Sequence, residues 1–419
     1  MDGEATVDQR VAQLDGSFIP RKPSLVTLVD GLLGVFGPRR PMSAQQLVTL
    51  ARRRTGLTDF GPEPFVEALR IFVRSLEEEA DLSAFGRMGA RWDALRFLSN
   101  LLVLREDERK DPTILEERIE RPIFICGLPR SGTTFLHRIL AEDPSNAVVR
   151  CWETIYPCPA PTGKADADRR ARRVDSQLAM FAWLAPEMSR IHPMSARSPQ
   201  ECTEITGHVF ASLRFDTTYH VPTYRRWLDR SDHLTAFRFH KRFLQHLQRR
   251  RGPRQWVLKC PDHVFALDAI RAVYPDARFI FMHRNPIEVL ASLARLTEVL
   301  RLAFAHRIDR LEIGRLVSGQ WSQGAARLLE AATAAGRSSD SILNIGFPSF
   351  VKDPSACLPS IYERFGLTMS ADAATRLRRY VAEQPRGGYG ANASRLEDYG
   401  LNAEEEGRHY KEYMAYFNV

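Results

Sequence analysis

Two glycines separated by four residues, in Gly127-Leu-Pro-Arg-Ser-Gly132, precede the pair Thr133-Thr134. Backbone N–H groups of such a loop, with the helix N-terminus that follows, form an anion site. The spacing is that of nucleotide-triphosphate loops, which place a lysine after the second glycine. Here Thr133 stands at that position, and Arg130 supplies a cation from inside the loop. This chemistry suits a lone phosphate or a phosphosulfate better than a magnesium triphosphate. A second group of residues lies in Trp256-Val-Leu-Lys-Cys-Pro-Asp-His263 and in the stretch from Tyr274 to Ser292. Lys259 ends one apolar run and Arg284 ends the next. Ser292 lies eight residues after Arg284, about two helical turns on. A guanidinium and a hydroxyl on one side can clamp a phosphate.

The elements that must position these residues follow from the apolar pattern. Ile123–Cys126, Trp256–Lys259, Arg278–His283 and Ile342–Ile345 read as buried strands, with helices between them. The alternation predicts an α/β fold, a P-loop type parallel sheet flanked by helices, with ligands at the carboxyl ends of the strands. Phe135, Leu136, Ile139 and Leu140 form the apolar face of a helix after the loop. Residues 1–118 read as an all-helical N-terminal extension or cap, and 119–419 as the P-loop domain. In the extension, Ser43 caps one helix, Pro64 starts another, and a third spans roughly Ala90 to Glu106. Residues 157–166 predict a surface loop, and 177–250 a largely helical stretch.

The loop Pro129-Arg-Ser-Gly-Thr-Thr134 and the Arg284…Ser292 pair resemble the two phosphate-binding elements of sulfotransferases, and the wording is similar to the bacterial branch. The resemblance covers 120–300 closely and 300–419 loosely. It implies transfer of a sulfuryl group from 3′-phosphoadenosine 5′-phosphosulfate (PAPS), without a metal, to a hydroxyl or amine of a small or lipid-like acceptor. By position, Arg130, Ser131, Gly132, Thr133 and Thr134 would hold the 5′-phosphosulfate. Arg284 and Ser292 would hold the 3′-phosphate. Lys259 matches the lysine set against the sulfuryl group and leaving phosphate.

Three residues are candidates for the base. Glu153, in Arg150-Cys-Trp-Glu153, resembles the catalytic glutamate of protein-tyrosine sulfotransferases by its distance from the loop; a capping or salt-bridged carboxylate is the competing role. His263, four residues after Lys259, offers an imidazole at the mouth of the same strand. Glu201, in Ser198-Pro-Gln-Glu-Cys202, begins a helix whose N-terminus favours its ionised form. His208 is a weaker candidate for the acceptor pocket, and Phe210, Phe215, Tyr219 and Tyr224 form either an acceptor wall or core. The glycine-rich block from Pro385 to Leu401 resembles a loop near the cofactor, with Arg386 and Arg395 in reach of the 3′-phosphate. Its glycines suit a lid that orders on binding, although Asn392 and Ser394 depart from the family pattern. Phe347-Pro-Ser-Phe350 lacks the acidic residues expected after the last strand.

Composition narrows the classes. The 419 residues are 44% hydrophobic and 26% charged, with a net charge of +8. That charge suits a basic cleft for a polyanionic cofactor, and equally an Arg-rich surface. The basic residues are spread out and no nucleic-acid motif occurs, so no nucleic-acid partner is expected. Six cysteines without a CxxC pair predict free thiols and a cytoplasmic location. The acidic N-terminus lacks a signal-peptide plan. The apolar stretch Leu25–Phe36, interrupted by Asp30, is too short to span a bilayer and reads as an amphipathic helix. No His/Cys/Asp cluster has metal-ligand spacing. Two rival functions remain: a nucleotide kinase or NTPase, disfavoured by Thr133 and by the lack of a strand-end Asp for magnesium, and a non-catalytic adenosine bisphosphate binder. The sequence leaves oligomeric state and acceptor open.

Overall fold

The computed structural model describes residues 27, 30–32, 41–336, 340–384 and 394–419. Five parallel strands form one sheet in the order β2-β3-β1-β4-β5: β1 Ile123–Gly127, β2 Asn146–Ala147, β3 Gln255–Lys259, β4 Arg278–His283 and β5 Ile342–Gly346. β1 sits in the centre, with Ile123 opposite Val257 on one side and Arg278 on the other. The loops after β1, β3 and β4 therefore open at one edge of the sheet. The four strands expected from the apolar runs are present. β2 is additional: two residues that pair with Gln255 and Trp256, too short to leave a periodic signal.

Period-two alternation divides the strand side chains between the two faces. Phe124, Cys126, Phe279 and Phe281 join the larger core, and Ile123, Ile125, Ile280 and Met282 the smaller one. Each buried phenylalanine contributes about 1.5–3 kcal/mol relative to exposure.

The larger core continues without a break into three N-terminal helices, α1 Ala44–Thr55, α2 Val66–Glu78 and α3 Ala84–Lys110. The Ser43 side chain accepts from Gln46 N at 3.2 Å and caps α1. α2 buries Leu69, Phe72, Val73 and Leu76, the i, i+3, i+4, i+7 stripe of an amphipathic helix. α3 starts six residues before the expected Ala90, because Ser83 accepts from Gly86 N at 3.1 Å.

After the loop come α4 Thr133–Leu140, α5 Cys151–Ile155 and α6 Lys164–Leu184. The expected helical stretch 177–250 is broken. α6 ends at Leu184, several helices of four to seven residues follow, and a long helix, α7 Leu234–Arg251, resumes. α8 Pro286–Phe304 and α9 Arg310–Ala335 follow β4, and α10 Phe347–Lys352 follows β5. At the seam between extension and sheet domain, Gly86 of α3 meets the end of α8. A Cβ there would stand 1.8 Å from the Phe304 carbonyl oxygen, so only glycine fits.

Among the described residues no helix is long and apolar enough to cross a membrane. Most of the Leu25–Phe36 stretch and the block 385–393 lie outside the described residues.

Candidate active site

The loop between β1 and α4 is built on special backbone positions. Gly127 has φ +150° and Gly132 φ +89°. A Cβ on Gly127 would stand 2.2 Å from the Met282 carbonyl oxygen of the neighbouring strand. Arg130 also has positive φ, at 65°, a conformation uncommon for a residue with a side chain. Ser131 is fully buried and donates its hydroxyl to Leu128 O at 2.6 Å, so its side chain braces the loop. The first N–H groups of α4 have no acceptor within the helix and are directed out of its N-terminus.

A cleft of about 1660 Å3 opens above this loop. Arg130, Gly132, Thr133 and Thr134 line it, as do Arg284 and Ser292. Arg284 is held in place on three sides. It donates to Arg130 O at 3.0 Å and to Glu288 at 3.1 Å, and its guanidinium lies 4.1 Å from the centre of the Phe347 ring. The apolar Phe347-Pro-Ser-Phe350 stretch thus has a role where acidic residues were expected: Phe347 stacks on Arg284, and Phe350 is buried against Gly132. Arg130 donates to Ile191 O at 2.9 Å. Burial, together with the neighbouring Arg284, lowers the pKa of Arg130.

Lys259 is 2% exposed at the end of β3. Its ammonium donates to Thr134 Oγ1 at 3.1 Å and forms an ion pair with Glu201. Burial pushes the Glu201 carboxyl up, but the Lys259 ammonium and His192 outweigh it and hold it below the usual carboxylate range. Glu201 lines the cleft. It lies ahead of the four-residue helix Thr203–Thr206 and does not cap it. Lys259, rather than a helix N-terminus, stabilises its charge.

The other two candidate bases are placed differently. Glu153 is buried within α5 and accepts from Arg150 N at 2.8 Å, while its other oxygen pairs with Arg251 of α7. It does not line the cleft. His263 was expected at the mouth of β3, but it turns inward. It is 2% exposed, packs edge-on against Phe124 with ring centres 5.1 Å apart, and neither ring nitrogen has a hydrogen-bond partner. Burial, with other cations nearby, pushes its pKa well below the usual value. His208 is likewise enclosed, bonded to Asn100 at 3.1 Å and stacked near Phe239. Phe210, Phe215 and Tyr224 are core; Tyr219 alone of that group touches the cleft. Arg395 is mostly exposed, 3.5 Å from Glu397.

Among the titratable wall residues not singled out from sequence, two feel the Glu201 charge. Asp262, beside His263, faces the cleft, and its carboxyl is pushed up to about 7 by desolvation and by the nearby Glu201 charge. The sequence signal was present, since Asp262 is part of the block after Lys259. His192 also lines the cleft, pushed down to about 4 by burial although Glu201 pulls the other way.

The far side of the cleft belongs to the helical extension and α6. Phe85, Met88 and Trp92 of α3 face Leu178, Phe181 and Leu184 of α6 across it. Asp93 and Arg96 of α3 form a buried charge network with Glu204 and Arg214. Burial alone would raise the Asp93 carboxyl, but Arg214 and Arg96 hold it at about 2. The extension therefore supplies a wall of the cleft.

The cleft wall thus combines cations, backbone donors and hydroxyls with large apolar side chains, and the Lys259–Glu201 pair adjoins it. Such an arrangement can bind a polyanion next to an apolar molecule and move a group between them.

The chain is similar to known proteins in sequence and fold. The model of the sulfotransferase family matches residues 122–371. The sulfotransferase STF9 from Mycobacterium avium superposes with a TM-score of 0.82 at 27% identity, over 91% of this chain and 98% of that one. STF1 from Mycobacterium tuberculosis H37Rv gives 0.78 at 29% identity, over 89% and 99%. The omega-hydroxy-beta-dihydromenaquinone-9 sulfotransferase Stf3 of Mycobacterium bovis is 25% identical over 291 residues, 62% of this chain and 67% of Stf3.

Proposed function

The chain belongs to the sulfotransferase family, and from that premise we propose that it moves a sulfuryl group from PAPS to a hydroxyl, or an amine, of a lipid-like acceptor. One observation carries the reading: Arg130, Gly132, Thr133, Thr134, Arg284 and Ser292 line a single cleft together with large apolar side chains, and the buried Lys259 bonds two of its lining residues, Thr134 and Glu201. The similarity to Stf3, whose name specifies a dihydromenaquinone substrate, supports an apolar acceptor with one polar end.

PAPS supplies the sulfuryl group and departs as adenosine 3′,5′-bisphosphate. Transfer breaks the bond from sulfur to the 5′-phosphate oxygen and forms one to the acceptor oxygen, whose proton must leave. The loop N–H groups, Arg130 and the Thr133 and Thr134 hydroxyls hold the phosphosulfate end. Arg284 and Ser292 hold the 3′-phosphate, which distinguishes the cofactor from ADP and ATP. Lys259 stabilises charge growing on the leaving oxygen. Glu201 takes the acceptor proton. It is the one of the three sequence candidates that faces the cleft, and Lys259 keeps it ionised. Positioning and charge stabilisation do the rest, and the donor set of N–H, guanidinium and ammonium groups calls for no metal. Six unpaired thiols fit a reducing, cytoplasmic location.

Calorimetric titration tests the donor half. Adenosine 3′,5′-bisphosphate should bind tightly to the wild type and weakly to Arg284→Ala, with ADP and magnesium ATP weak on both. Equal binding of ATP and the bisphosphate, insensitive to Arg284, would overturn the reading in favour of a kinase. Acceptor screening with labelled PAPS then separates an enzyme from a bisphosphate-binding protein.

A further inference from the structure

We propose that the open rim of the cleft is a docking face for an anionic lipid bilayer, through which the acceptor enters; this rests on the lipid-like acceptor of the preceding section. Met88 and Trp92 on α3 and Met180 and Trp183 on α6 are 58%, 41%, 62% and 43% exposed, although all four line the cleft. The two helices meet at this rim: the Phe85 and Trp183 rings lie edge-on with centres 6.4 Å apart. The Asp30 carboxylate accepts from Phe85 N at 3.0 Å and brings the segment of Leu32, itself 52% exposed, to the same place. Large apolar side chains gathered around one opening mark an interaction surface.

Charge identifies the partner. Arg91 adjoins Trp92. Arg172 lies on the face of α6 that carries Trp183, by the 3.6-residue period, while Arg173 stacks on the Tyr156 ring at 4.9 Å. Arg190 follows shortly after α6. All four arginines are exposed, and none has an acidic partner among the described residues. The acidic residues of α6 nearest them in sequence are engaged elsewhere, Asp168 with Arg197 and Asp175 with Ala196 N. Exposed tryptophans on helices that also carry exposed arginines without acidic partners suit the boundary between anionic headgroups and acyl chains. The rim leads directly onto Phe181, Leu184 and Leu300 inside the cleft, so an apolar acceptor passes from lipid to chamber without crossing water.

Flotation of the full chain with vesicles tests this. The chain should float with phosphatidylcholine vesicles containing phosphatidylglycerol and stay behind with pure phosphatidylcholine. Arg91→Glu with Arg172→Glu should lower partition at least about tenfold, and Met180→Asp with Trp183→Asp should lower it on the same phosphatidylglycerol-containing vesicles. All variants should still titrate with adenosine 3′,5′-bisphosphate, which shows that they fold. A chain that binds the bisphosphate but never floats, or floats equally well in every variant, overturns the docking face. So does a concentration-dependent dimer that the Met180→Asp/Trp183→Asp pair abolishes without any vesicle binding, since a second copy would then cover the rim. Flotation without bisphosphate binding supports the rim and sinks the transfer reading instead.

Discussion

Lys259 of β3 reaches across to α4 and donates to Thr134 Oγ1 at 3.1 Å, while the same ammonium pairs with Glu201. One buried cation therefore touches the phosphate loop and the cleft carboxylate together. Lys259→Ala should lower the rate of sulfuryl transfer about 10²–10³-fold, with bisphosphate affinity changing much less. It should also raise the Glu201 pKa, because burial then acts without its opposing charge. Single-turnover rates across pH would read both effects.

Glu153 and Glu201 should separate cleanly. Glu201→Gln removes the proposed base and should lower turnover about 10²-fold or more with little loss of bisphosphate binding. Glu153→Gln leaves the Arg251 guanidinium without its carboxylate, although it still donates to Val148 O, and weakens the bond to Arg150 N. It should cost about 1–3 kcal/mol of stability, with the turnover of the folded fraction preserved. Urea midpoints beside active-site-titrated turnover distinguish them; loss of turnover in a stably folded Glu153→Gln would move the base to that residue.

Arg284→Lys tests the planar clamp. Lysine keeps the charge but loses the stacking on Phe347 and the two separate donations to Arg130 O and Glu288. Bisphosphate affinity should fall about tenfold, and ADP affinity should not move. Equal loss for both ligands would place Arg284 away from the 3′-phosphate.

Asp262 carries a pH signature. Its folded pKa of about 7 lies above the ordinary 3.8, so the folded chain holds this proton more tightly than the unfolded one. That contribution to stability is complete below the ordinary value and is lost as pH rises through about 7. Between about pH 5 and about pH 8, the wild type should lose about 1–3 kcal/mol that Asp262→Asn keeps. Denaturant midpoints at the two pH values give the difference, and parallel slopes in the two proteins would show that Asp262 titrates normally.

The fold was largely readable because its signals are local. The runs at 123–126, 256–259, 278–283 and 342–345 are apolar and short, and the loop glycines answer backbone demands that no other residue meets. Other features depended on partners distant in sequence. Whether Glu153 faces the cleft is decided by Arg251, on a helix nearly a hundred residues away. Asp262 and His263 are neighbours in one tight turn, Pro261–Phe265. Which of them looks into the cleft and which into the core depends on a single turn's direction, and no apolar period encodes that. The α3 wall was hidden for a related reason. Met88 lies before the helix expected from Ala90, and nothing local marks Trp92 as part of a cleft wall until α6 stands opposite it.

The contact at Gly86 sets a gauge. Where α3 meets the end of α8, no side chain intervenes between the Gly86 Cα and the Phe304 carbonyl, and Ser83 N donates to that same oxygen at 2.9 Å. The spacing of the two helices is fixed there by main chain against main chain, so rotamer changes cannot alter it. Substitutions further along α3 can recontour the chamber for acceptors of different shape while the helix spacing at Gly86 stays constant. Selectivity can then drift through side chains alone, on a frame whose calibre is written into the backbone.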